Sequence, residues 1–364
     1  MNHQVVNPPD PSGLSNVPHP ETSAPFLFLN TGKKSVTLDP STPSGHFILL
    51  KLIQEADILV TDLEPSVLEE LHLDYPILEK ANPRLIMAAI SFFGQTGPYR
   101  DYIANELTGF AMGGYLYITG QPEREPVKVG GNTGQYQGGL HAAVGIMGAV
   151  MYRQLTGLGQ LVDISITESL SFEADAADKW MNQKLMSNRV GNRQVRGNAQ
   201  GTYPAQTLPC KDGWVHVHHA RDIRPGLKVL AELIGEPRLN DPEVVAAPYG
   251  HADLIDELLL PWLSRNDKFE VVRQAQEARH PFMEVLDIQE VLADPQHADR
   301  GYFVEVDHPV VGRMTQLGAP LRASETPWET QRSPLLGEHN EEVYCGRLGY
   351  TPQELGLLRE QGVI

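Results

Sequence analysis

The apolar positions change their period several times along the chain, and each change marks an element. Residues 1–25 carry proline at 8, 9, 11, 18, 20 and 25, too many breaks for a helix or a central strand, so they read as loop. Order begins at the apolar run Phe26-Leu27-Phe28-Leu29. A turn over 30–34 follows, then a strand-like Ser35-Val36-Thr37-Leu38. Phe47, Leu50 and Ile53 recur at helical spacing within 46–55, and Ile58-Leu59-Val60 reads as a buried strand. A short helix over 67–73 leads to a second apolar strand over 85–90. Strands alternating with helices point to a mostly parallel, doubly wound sheet.

Two longer helices are expected next. One spans 105–115. The other spans 138–155, rich in small residues and apolar almost all round, which predicts burial on every side. Thr156-Gly157-Leu158-Gly159 ends it, residues 160–166 alternate like a strand, and 169–186 is helical again. The glycine-rich polar stretch 189–204 reads as an inter-domain linker. Beyond it lies a mixed segment with a hairpin turn at Asp212-Gly213. From 294 onward come short strands and turns, and a last helix over 352–361.

Composition narrows the function. The 364 residues include 46 acidic against 29 basic side chains, a formal charge of -17. That excludes a basic footprint for nucleic acid or an anionic membrane surface. No stretch approaches 18 consecutive apolar residues, and no basic start precedes an apolar run, so a cytoplasmic protein is expected. Cys210 and Cys345 stand alone, without the spacing of a disulfide framework or a zinc site.

Candidate chemistry is sparse. No phosphate-binding glycine motif joins a strand to a helix. Gly130-Gly131-Asn132-Thr133-Gly134 could cap an anion with its amides, but reads more simply as a flexible surface connection. Alternation places His216 and His218 on one strand face, with His219 beside them. Without a nearby acidic partner they read as structural rather than metal-ligating, and no metal is expected. From the residues alone the chain is an acidic, two-domain α/β protein with no assigned reaction.

Read together, the ordered segments resemble the class III coenzyme A-transferases, the CaiB/BaiF group. Asn30 to Asp39, with Lys33, Lys34, Ser35 and Leu38, matches that family's Asn-x-x-Lys-Arg-Ser-Val-x-Leu-Asp strand. Asn82-Pro83-Arg84-Leu85-Ile86 and Phe93-Gly94-Gln95-Thr96-Gly97-Pro98-Tyr99 are similar to two further blocks. So are Gly139-Leu140-His141-Ala142-Ala143 and Arg153-x-x-Thr156-Gly157-x-Gly159-Gln160-x-Val162-Asp163. Pro334 to Asn340 and Leu348-Gly349-Tyr350 match the closing segment. The resemblance implies a Rossmann-like large domain from residues 1–200 and 294–364. A smaller α+β domain is inserted at 203–292, in interlocked dimers. It also implies transfer of coenzyme A between small carboxylic acids through an aspartyl anhydride and thioester, with acyl-CoA as substrate.

The same resemblance exposes departures. Gln135 stands where the family carries its nucleophilic aspartate, and no Asp or Glu lies between Lys128 and Ile146. Glutamine cannot form an anhydride. The cofactor-binding positions implied are Lys33, Lys34, Leu38, Asp62, Leu63 and Gly134. However, the family's Glu-Asn-Phe-x-Pro-Gly turn is here Thr61-Asp62-Leu63-Glu64-Pro65-Ser66, and Glu69-Glu70 follows. That acidic run is expected to repel phosphates. Asn105 falls nearest the histidine of proton-transferring relatives, and the first strand and helix of the family's sheet have no counterpart. Three readings result: a coenzyme A-transferase; a non-catalytic subunit of a heteromeric transferase; or an acyl-CoA isomerase with Glu106 or His141 as base. The expected assembly is a homodimer, or a heterodimer with a related family subunit.

Overall fold

Three apolar runs become the strands of one parallel sheet: β1 (Ile58–Thr61), β2 (Ile86–Ser91) and β3 (Gln160–Ser165), in the order β1-β2-β3. The computed structural model describes residues 23–120, 124–172, 203–218 and 226–364. Ile86 faces Ile58 on one side and Gln160 on the other; Ala89 faces Thr61 and Asp163. The central strand is sealed, with Leu85 to Ala89 at 0–1 % exposure. Parallel neighbours need crossovers. Here α3 (Pro65–Glu70) and α4 (Tyr75–Ala81) connect β1 to β2. α5 (Glu106–Met112) and α6 (Thr133–Thr156) connect β2 to β3, and α7 (Ile166–Ser171) follows.

α6 corrects the expected helix in two ways. It begins five residues earlier than 138, and it is not buried all round. Its inner face is built from Gly138, Ala142, Gly145 and Ala149, at spacings that keep one stripe on the sheet. A Cβ at Gly145 would lie 2.7 Å from Val162 Cγ1, and one at Gly138 would lie 2.9 Å from Ile166 Cγ1. The helix therefore rests on the strands where it has no side chain. Its large apolar residues point the other way: Leu140, Val144, Met147, Met151 and Leu155 are 61–87 % exposed. Composition could not separate these faces because both are apolar.

The end of α6 explains the matched block around it. Gly157 takes φ +81° and donates its N–H to Arg153 O at 2.8 Å, the left-handed stop that glycine favours. At Gly159 a Cβ would sit 1.9 Å from Leu85 O, so only glycine lets β3 start against β2. Arg153 Nη1 donates to Asp57 O at 3.0 Å and Arg84 O at 3.2 Å, tying together the starts of β1 and β2.

The stretch from Tyr203 carries a second, antiparallel sheet of β4 (Ala205–Pro209), β5 (Trp214–His218) and β6 (Met283–Glu284), with the hairpin at Asp212-Gly213 as expected. Helices Gly226–Ile234, Ala252–Arg265 and Lys268–Glu277 close over it around Val215, Leu230, Ile255, Leu259 and Phe282. The expected helix over 169–186 is described only as far as α7. Its remainder, most of the 189–204 linker and His219 lie outside the described residues. By internal contacts the chain forms two compact units, residues 57–79 with 83–285, and residues 1–56 with 80–82 and 286–364. The stretch expected as a small domain, 203–292, has its own sheet and core, while these contacts group 203–285 with the parallel sheet.

In the other unit, the run expected to open the ordered chain is a helix, α1 (Ala24–Leu29), followed by α2 (Pro43–Glu55). Ser35 to Leu38, expected as a strand, pairs with none of the described strands. Its backbone is clasped by the chain's closing segment. Ser35 N–H donates to His339 Nδ1, Thr37 N–H to Asn340 Oδ1 at 2.9 Å, and Tyr344 Oη to Thr37 O at 2.6 Å. A π-helical turn, Glu341–Arg347, follows that clasp. Ile48, Tyr344, Leu355 and Val363 form the core, Leu38 packs against them, and burial pushes the Tyr344 hydroxyl up to about 12. β7 (Phe303–His308) and β8 (Gly312–Leu317) make a hairpin, and helix Pro352–Glu360 ends the chain.

Two glycines of α6 should respond oppositely to the same change. Gly145→Ala is expected to destabilise by about 1–3 kcal/mol because Val162 has to move. Gly139→Ala, with nothing within 4 Å, should stabilise by about 0.5–1 kcal/mol; chemical denaturation of both variants checks this. A second prediction concerns the clasp. Arg332, and then the Leu335 N–H, hold the Glu338 carboxyl down to about 2 from its ordinary 4.5. Its stabilisation is therefore complete above pH 4.5 and lost as the pH falls toward 2. Amide exchange at Gly337 and Asn340 should accelerate across that window, and Glu338→Gln should remove the pH dependence.

Candidate active site

Glycines on α5 place an acidic side chain at the start of α6. A Cβ at Gly109 would lie 3.0 Å from the Phe92 ring, and one at Gly113 would lie 2.9 Å from Leu170 Cβ. α5 therefore sits flush against the end of β2 and against α7, around Phe92, Phe110, Ile166 and Leu170. Asn105 begins α5 with a capping box: its Oδ1 accepts from Leu107 and Thr108 N–H at 3.0 and 3.1 Å. The residue nearest the family's histidine position is thus committed to the helix end.

The next residue, Glu106, reaches α6. Its Oε1 accepts from Gly134 N–H at 2.7 Å and its Oε2 from Gln135 N–H at 3.2 Å. Asn132, the N-cap of α6, makes no side-chain cap. The first amides of a 24-residue helix are satisfied instead by a carboxylate 28 residues earlier in the chain. Anions at a helix N-terminus are favoured by about 0.3–1 kcal/mol, and by up to about 2 kcal/mol when partly buried. Gly134 is required by this contact, since a Cβ there would meet Glu106 Oε1, Phe110 and Leu170 at 3.1–3.3 Å. The Gly130-to-Gly134 segment is therefore an anion-capping turn rather than a flexible connection, and the chain supplies the anion. Lys128 holds its ammonium 5.2 Å from the Phe110 ring centroid and donates to Val129 O at 2.6 Å.

The other expected positions are distributed. Gln135 and Gly134 lie at the start of α6, while Asp62 and Leu63 follow β1. Leu63 N–H donates to Thr61 Oγ1 at 3.2 Å. Burial, then Asp101 and Asp62, push the Glu64 carboxyl up. Arg100 answers this acidic patch through Glu69 at 2.7 Å and Asp101 at 3.2 Å. In the other unit, Lys33 Nζ donates to Asn30 Oδ1 at 3.1 Å, Lys34 pairs with Glu342, and Leu38 packs, partly buried, against the core. That unit also holds a cavity of about 490 Å³ lined by Gly32, Leu321, Trp328 and Gln331.

His141 lies on α6 beside a second cavity of about 280 Å³, with Asp163, Ser165, Glu168, Ser169 and Phe172. Its ring meets Phe172 edge-on at 5.6 Å. Asp163 is occupied by the Gln95 N–H at 3.0 and 3.1 Å, a contact that Gly94 permits at φ +81°. His216 and His218 share a face as expected, their rings stacked at 6.1 Å and 22°. Among the described residues, no group of three His, Cys, Asp or Glu side chains is arranged to hold a metal. No described helix is long and apolar enough to cross a membrane.

Comparison with known proteins gives this geometry a context. A CaiB/BaiF family protein from Brucella suis superposes with a TM-score of 0.77 at 27% identity, covering 89% of this chain and 84% of that one. A Mycobacterium tuberculosis protein of 23% identity and TM-score 0.74 shares the fold. The formyl-CoA:oxalate CoA-transferase of Streptomyces avermitilis is 32% identical, over 93% of this chain and 86% of its own length. The succinyl-CoA–D-citramalate CoA-transferase of Chloroflexus aurantiacus is also 32% identical, over 93% and 84%. Fold and site thus define an α/β protein of the CaiB/BaiF structural class. The model of CoA-transferase family III matches residues 6–340, and the chain belongs to that family. Its function is CoA-transferase-like, with coenzyme A or an acyl-CoA as the substrate class.

Proposed function

We propose that this chain transfers coenzyme A between small carboxylic acids in the cytoplasm. One observation carries the reading: the family match over residues 6–340, together with relatives of 32% identity named for transfer between small acyl-CoA and carboxylate pairs. Thioester exchange needs a carboxylate to accept the acyl group, because its anhydride is reactive enough for a thiolate to open. Gln135 cannot supply one, while Glu106 lies against the same helix start.

A second reading, a non-catalytic subunit of a heteromeric transferase, draws on Gln135 and on the acidic turn at Asp62 and Glu64. The two readings differ in coenzyme A binding. A thermal-shift titration with coenzyme A and acetyl-CoA at low salt separates them. The transferase should show a saturable rise in Tm, about 2.7 kcal/mol of added stability at 100 times Kd. A well-folded sample without a shift would favour the subunit reading.

The chain also acts, in this proposal, as a pair of identical subunits. Leu140, Val144, Met147 and Met151 leave an apolar stripe on α6 at the 4-3-4 spacing of a helix–helix seam. No Asp, Glu, Lys or Arg occurs from Thr133 to Tyr152 to oppose a second copy there. Light scattering on the eluting protein should give twice the 40.3 kDa chain mass. Val144→Glu with Met151→Glu should halve that mass while helix content is kept.

A further inference from the structure

We propose that the cavity between α6, β3 and α7 is a binding site for a small organic cation, an ammonium or guanidinium carried on a short stem. The inference goes beyond the transfer reading and does not depend on it. The cavity measures about 280 Å³, and its walls include His141 from α6, Asp163 and Ser165 from β3, Glu168 and Ser169 from α7, and Phe172 just after α7. All six lie in one compact unit.

The hydroxyl groups in this wall are already committed. Ser165 Oγ donates to Phe92 O at 3.2 Å and accepts from the Glu168 N–H at 3.2 Å, and Ser169 Oγ donates to Ser165 O at 2.9 Å. Three side chains are left with capacity. Asp163 accepts a single N–H, that of Gln95, shared between its two oxygens, although an ionised carboxylate offers about four acceptor sites. The Glu168 carboxylate makes no ion pair or hydrogen bond with the described residues. His141 Nδ1 is shut off from solvent and has no hydrogen-bond partner. Buried polar atoms are nearly always paired, so an orphan of this kind calls for an explanation. A donor seated in the cavity supplies one, once the ring turns about its Cβ–Cγ bond toward it.

The charge of the wall selects the ligand. Two carboxylates line the cavity, with no Lys or Arg among the described lining residues, so phosphates and carboxylic acids are repelled and a cation is drawn in. These acidic and imidazole groups are not gathered around one point, since among the described residues no three His, Cys, Asp or Glu side chains are arranged to hold a metal. Groups spread along a wall suit a larger cation whose N–H donors are themselves spread out. Phe172 adds an exposed ring, whose face attracts a cation. Size sets the limit: at about 30 Å³ for a water-sized group, the cavity takes a molecule of about nine such groups.

The full chain is titrated at low salt with agmatine, which carries a guanidinium and an ammonium, and with urea as an uncharged control. The His141 ring is followed in proton–carbon NMR spectra, its resonance assigned with His141→Gln, and affinity is read by calorimetry. The expected result is a saturable, one-to-one shift of that resonance by agmatine and none by urea. Glu168→Gln removes a charge but no side-chain contact of the folded chain, so it should raise Kd about tenfold with Tm unchanged. Absence of a saturable shift overturns the proposal, and so does equal binding by Glu168→Gln or by urea. A shift that follows protein concentration without agmatine overturns it as well, since a second copy of the chain then covers the cavity. A saturable shift with coenzyme A in place of agmatine makes this an anion site and overturns it too.

Discussion

The seating of α6 on the parallel sheet is the contact from which the rest of the larger unit follows. A helix can rest directly on strands only where its side chains are absent or minimal, and Gly138, Ala142, Gly145 and Ala149 provide that stripe. Because Val162 and Ile166 already fill the space a Cβ would need at Gly145 and Gly138, the helix has little freedom to slide or rotate. Its N-terminal amides are thereby fixed beside α5, and its C-terminal glycines beside the start of β2. A displacement of α6 would separate Glu106 from Gly134 and Gln135 at one end. At the other it would separate Arg153 from the carbonyls of Asp57 and Arg84.

The motif blocks that run through the chain acquire separate physical reasons in this light. Gly157 and Gly159 are required by a left-handed stop and by backbone contact with Leu85. Asp163 is held by the amide after Gly94. His339 and Asn340, close to the chain's end, clasp Ser35 and Thr37 near its beginning. These are packing and hydrogen-bonding contacts, each with its own geometric reason. Lys33, Lys34 and Leu38 make contacts with Asn30, Glu342 and the apolar core.

Charge is arranged unevenly around this scaffold. The turn after β1 collects Asp62, Glu64 and Asp101, with Arg100 as their counter-ion partner through Glu69 and Asp101. Repulsion and burial there favour the protonated form of Glu64. At the start of α6 the Glu106 carboxylate is met instead by the N–H groups of Gly134 and Gln135. Two acidic groups of the same unit thus meet opposite environments, one set by like charges and one by a helix end.

Much of the architecture was legible in the pattern of residues. The runs at 58–60, 85–90 and 160–166 became the three parallel strands, but the expected burial of the first did not follow: Ile58 and Val60 are 38 % and 56 % exposed, while the central strand is sealed by a neighbour on each side. The Asp212-Gly213 turn and the shared face of His216 and His218 also followed from local rules. The two faces of α6 were not legible, because small and large apolar residues look alike to hydropathy and differ only against a particular surface. Ser35 to Leu38 had the composition of a strand, but its hydrogen-bond partners lie about 300 residues away. The sequence by itself determined that position 135 carries an amide where the family resemblance expects a carboxylate. Only the tertiary structure decided that Glu106 meets that position, because the contact depends on two glycine-faced helices packing against one sheet, and no local spacing encodes it.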